Sequence, residues 1–318
     1  MTPRTYPADP AEAGLRLFLG WLGPHYARSV AVQDAQSDGA TLACTVTVGR
    51  KWSLAVTIVS TLAPDATFEW EAARAAVEQR LDAEGLSVAL WAPRGARLPV
   101  DEPALSSLAL ALAEARTLDD GRLELRRPVN LYLRRADTTG SVVTALGGMA
   151  SHWAQFTNRV PGTFQLNSIE LLRLPFAPED RTALADRIVL AAQQPDIEDT
   201  HVIPAEDAWS ANQLGSGQSC LLGTPAPDND DWSASLRRNL RRSLKDLAAL
   251  PDRPADASAL VVLGAATYAE DEKLSWILRG MDPTLYAGHD ILAVIADGLV
   301  KPILMPGRQS LPWDAPLA

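Results

Sequence analysis

Residues 41–60 have the sequence TLACTVTVGRKWSLAVTIVS, in which apolar and small polar residues alternate on both sides of one glycine. Alternation with a period of two indicates a strand with one buried face, and a short glycine-containing turn between two such runs indicates a β-hairpin. The turn is Gly49-Arg50-Lys51. We therefore predict two antiparallel strands, Leu42–Val48 and Trp52–Ile58, within a stretch, Ala40–Trp91, around which the fold is built.

The segments on either side extend this hairpin into a larger α/β unit. A helix is expected to begin at Asp9-Pro10, because Asp is a good N-cap and Pro suits the first helical position. A strand follows at Arg28–Gln33, before the hairpin. After the hairpin we predict a second helix, capped by Thr67 and ended by Gly85, and then the apolar strand Leu86–Trp91. The predicted order is helix, three strands, helix, strand.

The second half of the chain contains further helices and strands. Residues 195–230 are rich in Pro, Gly, Asn, Asp and Ser, which favours a long excursion or a lobe boundary. The fold class is therefore α/β, with a mixed central sheet flanked by helices and a second α/β lobe. The lobes are placed at 1–200 and 201–318, either as separate bodies or as one continuous sheet. The predicted elements after the excursion are an amphipathic helix at Asp231–Leu250, a strand at Ala259–Gly264, a helix at Ala269–Arg279 and a hairpin at Ile291–Leu304 that turns at Asp297-Gly298.

Composition indicates a globular cytoplasmic protein. Of the 318 residues, 47% are hydrophobic and 21% are charged, which is typical of a chain that buries a core. The net charge of −10 argues against an extensive phosphate-binding surface, although it does not exclude a local basic patch. The two cysteines lie far apart in sequence and favour a reducing compartment. The chain has neither a signal-like N-terminal run nor an apolar stretch long enough for a membrane span, so cytoplasmic location without membrane contact is expected.

The helix predicted at residues 232–247 carries the clearest functional signal. Its leucines form one face, and its cations form two neighbouring rows on the other side. Such a face can contact DNA or RNA phosphates or an acidic protein surface. It can equally be an ordinary solvated helix face. The five candidate binding residues are Arg237, Arg238, Arg241, Arg242 and Lys245.

Two loops and two aromatic residues are further candidates for binding. Arg94 and Arg97 lie in a turn-rich loop directly after an apolar strand, where ligands of α/β sheets often bind. Gly147-Gly148 follows another predicted strand and can bring backbone close to a ligand, although a simple tight turn is the commoner role. Trp209 and Trp313 fall in predicted loops, and large rings in loops are candidates for partner contacts.

Catalytic patterns are weak. The four histidines are scattered, without His-x-x-x-His or Cys-x-x-Cys spacing, so no metal site is predicted. Cys220, in a predicted loop, could act as a nucleophile if His152 or His201 activated it, but a reactive thiol needs an identifiable activating environment.

The order helix, three strands, helix, strand over residues 10–91 resembles the core of the restriction-endonuclease-like superfamily. Active members of that superfamily carry the pattern PD…(D/E)xK, with an acid at the start of the second strand and an acid and a lysine on the third. Together these residues hold magnesium for phosphodiester hydrolysis. Asp38 stands at the start of the second predicted strand. On the third strand, Ala55 and Thr57 occupy the positions of the acid and the lysine.

The resemblance implies a nuclease-derived fold that is used for binding. Asp34 and Asp38, without further acids, cannot bind and position magnesium well. Magnesium would therefore be a cofactor only if acids from elsewhere, such as Glu69 or Glu71, completed the site. Otherwise no cofactor is expected.

Three functional hypotheses follow. The first is a non-catalytic interaction subunit of a cytoplasmic complex, related to nucleic-acid handling or defence, with a protein partner or a second copy of the chain. In this hypothesis nucleic acid binds through the basic helix 232–247. The second is an enzyme, either a divergent metal-dependent nuclease that uses Asp38 or a hydrolase that uses Cys220. The third is a small-molecule sensor that uses the loops after Trp91 and Leu146.

Overall fold

A computed structural model describes most of the chain. The described residues are 8–38, 41–61, 68–93, 96–137, 141–146, 159–168, 170–193, 200–223, 232–247, 254–263, 277–306 and 311–313, with only the backbone described for 68–70, 141–146, 232–236, 239 and 247. The chain divides into two compact units, one formed by residues 1–92 and 212–318 and the other by residues 93–211. The first unit is thus discontinuous in sequence, an arrangement that the single predicted boundary at residue 200 did not include.

The described residues form five α-helices and thirteen strands, which confirms a mixed α/β protein. The helices are α1 Pro10–Tyr26, α2 Phe68–Ala83, α3 Glu102–Ala113, α4 Pro178–Ala192 and α5 Trp232–Leu247. The strands are β1 Val30–Ser37, β2 Thr41–Val48, β3 Trp52–Ser60, β4 Val88–Ala92, β5 Arg116–Thr117, β6 Leu123–Asp137, β7 Ser141–Leu146, β8 Gly162–Asn167, β9 Thr200–Gln213, β10 Cys220–Gly223, β11 Ala257–Leu263, β12 Ile291–Ala296 and β13 Leu299–Leu304. None of the helices in the described part of the chain is long and apolar enough to cross a membrane.

The first unit contains a six-stranded mixed sheet in the order β1-β2-β3-β11-β12-β13. β1, β2 and β3 form an antiparallel meander, as residues 41–60 predicted. β11 lies parallel to both β3 and β12, and β13 returns antiparallel to β12 through the predicted turn at Asp297-Gly298. β11 and β12 are almost continuous runs of buried apolar residues, which is typical of strands covered on both faces.

Helices cover both faces of this sheet. α1 packs on one face, where Leu15, Phe18 and Leu22 join the inward residues of β2, β3, β11 and β12 in one core. Gly14 permits the close approach, since a Cβ there would lie 3.1 Å from Ile58 and 3.3 Å from Leu263. α5 contributes to the core on the opposite face. That second core includes Leu240, Leu244, Leu260, Val262, Leu292 and Val294.

β4 is not the fourth strand of this sheet, contrary to the core predicted over residues 10–91. It pairs in parallel with β10, a strand within the segment that was predicted to be loop. The position beside β3 is taken by β11, which follows α5. Consecutive strands are neighbours only about two-thirds of the time, and the apolar pattern of a strand does not identify its partner.

The helix ends agree with the sequence in most respects. Asp9 caps α1 by accepting a hydrogen bond of 2.8 Å from the amide of Ala11, as predicted. α1 continues through Pro24 to Tyr26, although proline is unfavourable inside a helix. Gly85, with a φ of +74°, ends α2 as expected. Thr67 and most of the helix predicted at 269–279 lie outside the described residues.

The second unit contains a mixed sheet in the order β9-β6-β8-β7, with β5 paired to β6. β6 and β9 form a long antiparallel ladder, and α4 covers one face through Leu184, Ile188 and Val189. β9 lies within the segment that was predicted to be an excursion. Its Pro, Glu and Asp residues have low β-propensity, but pairing with β6 outweighs that preference.

Candidate functional site

The cationic surface predicted on the helix at 232–247 is present on α5. Arg238, Arg241, Arg242 and Lys245 are exposed. They occupy relative positions i, i+3, i+4 and i+7, which fall on one side of an α-helix. Because the helix rises 1.5 Å per residue, this stripe is about 10.5 Å long. We call these four residues the cationic stripe.

The opposite side of α5 fixes the direction in which the stripe points. Leu240 and Leu244 are almost fully buried in the core against β11 and β12, and Ser243 is buried beside them. A helix that buries its apolar face cannot rotate without exposing it, so the four cations face outward together.

Arg237 differs from the other predicted binding residues. It is half-buried, and its guanidinium lies over Gly280, where a Cβ would be 3.2 Å from Nη2. Arg238 and Arg242 also interact within the chain. Asp246 is exposed next to Lys245 and reduces the positive charge at that end. Cations in the last turns of a helix also complement its dipole, so part of their role is structural.

The residues of the predicted nuclease site have structural roles or lie apart from one another. Asp38 lies between β1 and β2, where its carboxylate accepts a hydrogen bond of 2.6 Å from the amide of Thr41. Asp34 accepts one from the amide of Thr45 at a β-bulge. Glu71 pairs with Arg74 at 3.4 Å, and the side chain of Glu69 is outside the described part. Within the described ranges no three His, Cys, Asp or Glu residues are grouped so as to hold a metal ion.

Cys220 is a buried residue at the start of β10, not a loop residue as predicted. Burial raises the pKa of its thiol, and the nearby carboxylate of Glu78 raises it further. A thiol held in the neutral form is a poor nucleophile, so this environment opposes the Cys-dependent chemistry considered from the sequence. His152, one of its two suggested partners, lies outside the described residues.

Both tryptophans suspected of partner contacts are buried, so neither can contact a partner. The indole N–H of Trp209 donates to Asp207 at 2.8 Å, and the guanidinium of Arg127 lies 4.6 Å from the ring centroid. Trp313 packs edge-on against Tyr26. The sequence prediction was wrong because both segments lacked a strong periodic pattern, although tertiary packing covers them.

One loop candidate, Arg97, lies among the described residues. Arg97 is exposed in the second unit, and its carbonyl oxygen accepts a hydrogen bond of 3.2 Å from Arg127. Arg94 and the Gly147-Gly148 pair lie outside the described residues. Among the described residues, the cationic stripe is therefore the predicted binding surface that brings several cations together.

No family model, no curated protein and no solved structure matches this chain. The role of the cationic stripe has to be inferred from its own chemistry.

Proposed function

We propose that the protein is a non-catalytic binding subunit of a cytoplasmic complex and that the cationic stripe contacts nucleic-acid phosphates. The observation that supports this is the stripe itself: four exposed cations on one fixed side of α5, in a chain whose net charge is −10. The positive charge of the stripe attracts a polyanion to this surface, whereas the net negative charge of the rest of the chain repels a polyanion elsewhere.

The composition of the stripe suits phosphate binding. Three of the four cations are arginines, whose planar guanidinium groups bind phosphate oxygens through two parallel hydrogen bonds.

The topology of the first unit supports a nuclease-derived fold in a form different from that predicted. The order helix, three strands, helix, strand recurs there as α1, β1-β2-β3, α5 and β11. In this version α5 is the helix between the third and fourth strands, so the proposed binding surface belongs to the core. The third strand still carries Ala55 and Thr57 where active members have an acid and a lysine. We therefore assign the fold a binding role and no cleavage.

Charge reversal on the stripe tests this proposal. The variant Arg241→Glu/Lys245→Glu reverses two exposed stripe cations and keeps Arg238 and Arg242, which interact within the chain. The variant Arg50→Glu/Arg134→Glu makes the same charge change at exposed sites elsewhere. Binding of labelled duplex and single-stranded DNA would be followed by fluorescence anisotropy as a function of salt.

If each of the four stripe cations contacts one phosphate, the log–log salt slope on duplex DNA should be about −3.6, and the stripe variant should reduce its magnitude by about 1.8. The control variant should keep the slope of the unmodified protein. Equal slopes for both variants, or no binding by the unmodified protein at low salt, would refute the proposal. Purification from the native host with nuclease treatment addresses the alternative, since an acidic protein bound to the stripe would survive that treatment.

A further inference from the structure

Two adjoining clefts lie in the second unit around one arginine. The larger has a volume of about 340 Å³ and the smaller of about 220 Å³, and Arg126 and Asp180 line both. Small-molecule sites commonly have volumes of about 300–1,000 Å³, so the larger cleft is of suitable size for a small ligand. All its lining residues belong to this unit.

The inner wall of the clefts is an ion-pair network. Arg126 donates to Glu124 at 2.9 and 3.2 Å, to Glu206 at 3.3 Å and to Asp180. The carboxylate of Glu124 is buried and also accepts a hydrogen bond of 2.8 Å from the amide of Phe176. β6, β9 and α4 each contribute to this network, which holds the wall in one arrangement.

This network carries more negative than positive charge. Burial alone would lower the pKa of Arg126, but the hydrogen bonds that it donates to Asp180 and Glu124 outweigh burial and raise the pKa above its ordinary value. In the larger cleft three carboxylates face two guanidinium groups, so the formal charge of the lining is −1. These five residues are Glu114, Glu124, Asp180, Arg116 and Arg126.

The outer edge of the larger cleft carries one charge of each sign. Glu114 follows α3 and Arg116 begins β5, and both are exposed. Arg116 lies directly opposite Glu124 in the β5–β6 pairing. Among the described residues, neither Glu114 nor Arg116 has an ion-pair partner. Both are therefore available to a ligand with a cationic and an anionic group.

We propose that the larger cleft binds a free basic amino acid or a closely related small molecule. Its carboxylate would pair with Arg116, its α-ammonium group with Glu114, and its side-chain cation with the carboxylate of Asp180, since that of Glu124 is fully buried and already bonded within the chain. A basic amino acid has a net charge of +1, which balances the lining of the cleft. This site does not involve α5, so it stands or fails separately from the proposed nucleic-acid surface.

Calorimetric titration of the full chain with three probes tests the proposal. L-Arginine carries all three groups, agmatine lacks the carboxylate, and succinate carries only carboxylates. Arginine should bind saturably, agmatine more weakly, and succinate without saturation, at concentrations up to about 10 mM. An absence of saturable arginine binding would refute the proposal, and so would equal binding of succinate.

Two variants separate a specific site from nonspecific attraction. Arg116→Gln should weaken arginine binding by about two- to fivefold, the range for an exposed ion pair, and leave agmatine unchanged. Glu114→Gln should weaken both ligands by a similar factor. Arg134→Gln and Glu170→Gln are matched controls, since neither residue lines the clefts. If all four variants bind arginine with the affinity of the unmodified protein, the site is wrong.

Discussion

Replacement of Gly298 by alanine tests how the β12–β13 hairpin is held within the first unit. The carbonyl oxygen of Gly298 accepts a hydrogen bond of 3.0 Å from Nδ2 of Asn212, and Oδ1 of Asn212 accepts one of 2.9 Å from the indole N–H of Trp91. A Cβ on Gly298 would lie 2.1 Å from that Oδ1. Alanine at position 298 therefore has to displace the side chain of Asn212, whose Oδ1 and Nδ2 are both hydrogen-bonded.

The expected cost has two parts. Gly298 has a φ of +81°, in the left-handed region, where alanine costs about 1–2 kcal/mol. Displacement of Asn212 leaves the indole N–H of Trp91, a fully buried residue, without its acceptor, which costs about 1–3 kcal/mol. The sum is a loss of about 2–5 kcal/mol in the free energy of unfolding, measurable as a lower midpoint in urea with an unchanged m value.

Two further variants isolate the clash from the backbone strain. Gly85 also has a positive φ, +74°, but no atom lies within 4 Å of its Cβ position, so Gly85→Ala should lose only about 1–2 kcal/mol. In Asn212→Ala/Gly298→Ala the obstructing carboxamide is gone, so the double variant should lose less than the sum of the single losses. Equal losses for Gly85→Ala and Gly298→Ala, or strict additivity in the double variant, would refute this reasoning.

Two other predictions concern α5 and acid stability. Leu244 lies in the core beneath the cationic stripe, so Leu244→Ala should lower the free energy of unfolding, measured in urea, by about 2–5 kcal/mol. Leu190 is exposed, so Leu190→Ala should change the same quantity by less than about 0.5 kcal/mol. Similar losses in both would contradict the packing of α5. The backbone amide and hydroxyl of Ser53 both donate to Asp256 and hold the pKa of that carboxyl below its ordinary value. This stabilisation is present above the pKa that Asp256 has in the unfolded chain, and it is lost as the pH falls through the pKa of Asp256 in the folded protein. Asp256→Asn should therefore make the free energy of unfolding fall less steeply as the pH is lowered. An unchanged dependence on pH in the acid range would contradict this prediction.

Local elements of the fold could be predicted where one short pattern determines them. Period-two alternation in residues 41–60 defined β2, β3 and their turn, and Asp297-Gly298 marked the second hairpin. The leucine spacing of α5 predicted both its buried face and the outward position of its cations. These are properties of neighbouring residues, which a sequence displays directly.

Pairing between distant segments could not be predicted in the same way. β11 is the neighbour of β3, although Leu86–Trp91 was the nearer apolar strand in sequence. Cys220 was assigned to a loop because β10 has only four residues and lies in a segment rich in turn-forming residues. So short a strand shows no recognisable alternation of apolar and polar residues. The clefts around Arg126 were missed for a related reason, since their charged residues come from separate helices and strands and form no motif.

The discontinuity of the first unit has a consequence for the order in which the protein can fold during synthesis. β3 ends at Ser60 and its central neighbour β11 begins at Ala257, so about 200 residues must be translated between them. At about 5–20 residues per second the ribosome needs about 10–40 s for this interval. During that time all of residues 93–211 are synthesised. Val56 and Ile58 lie on β3, and one edge of β3 has no neighbouring strand until β11 has been made. We expect nascent chains that stop before β11 to depend on chaperones, because an unpaired apolar strand edge is a site of aggregation.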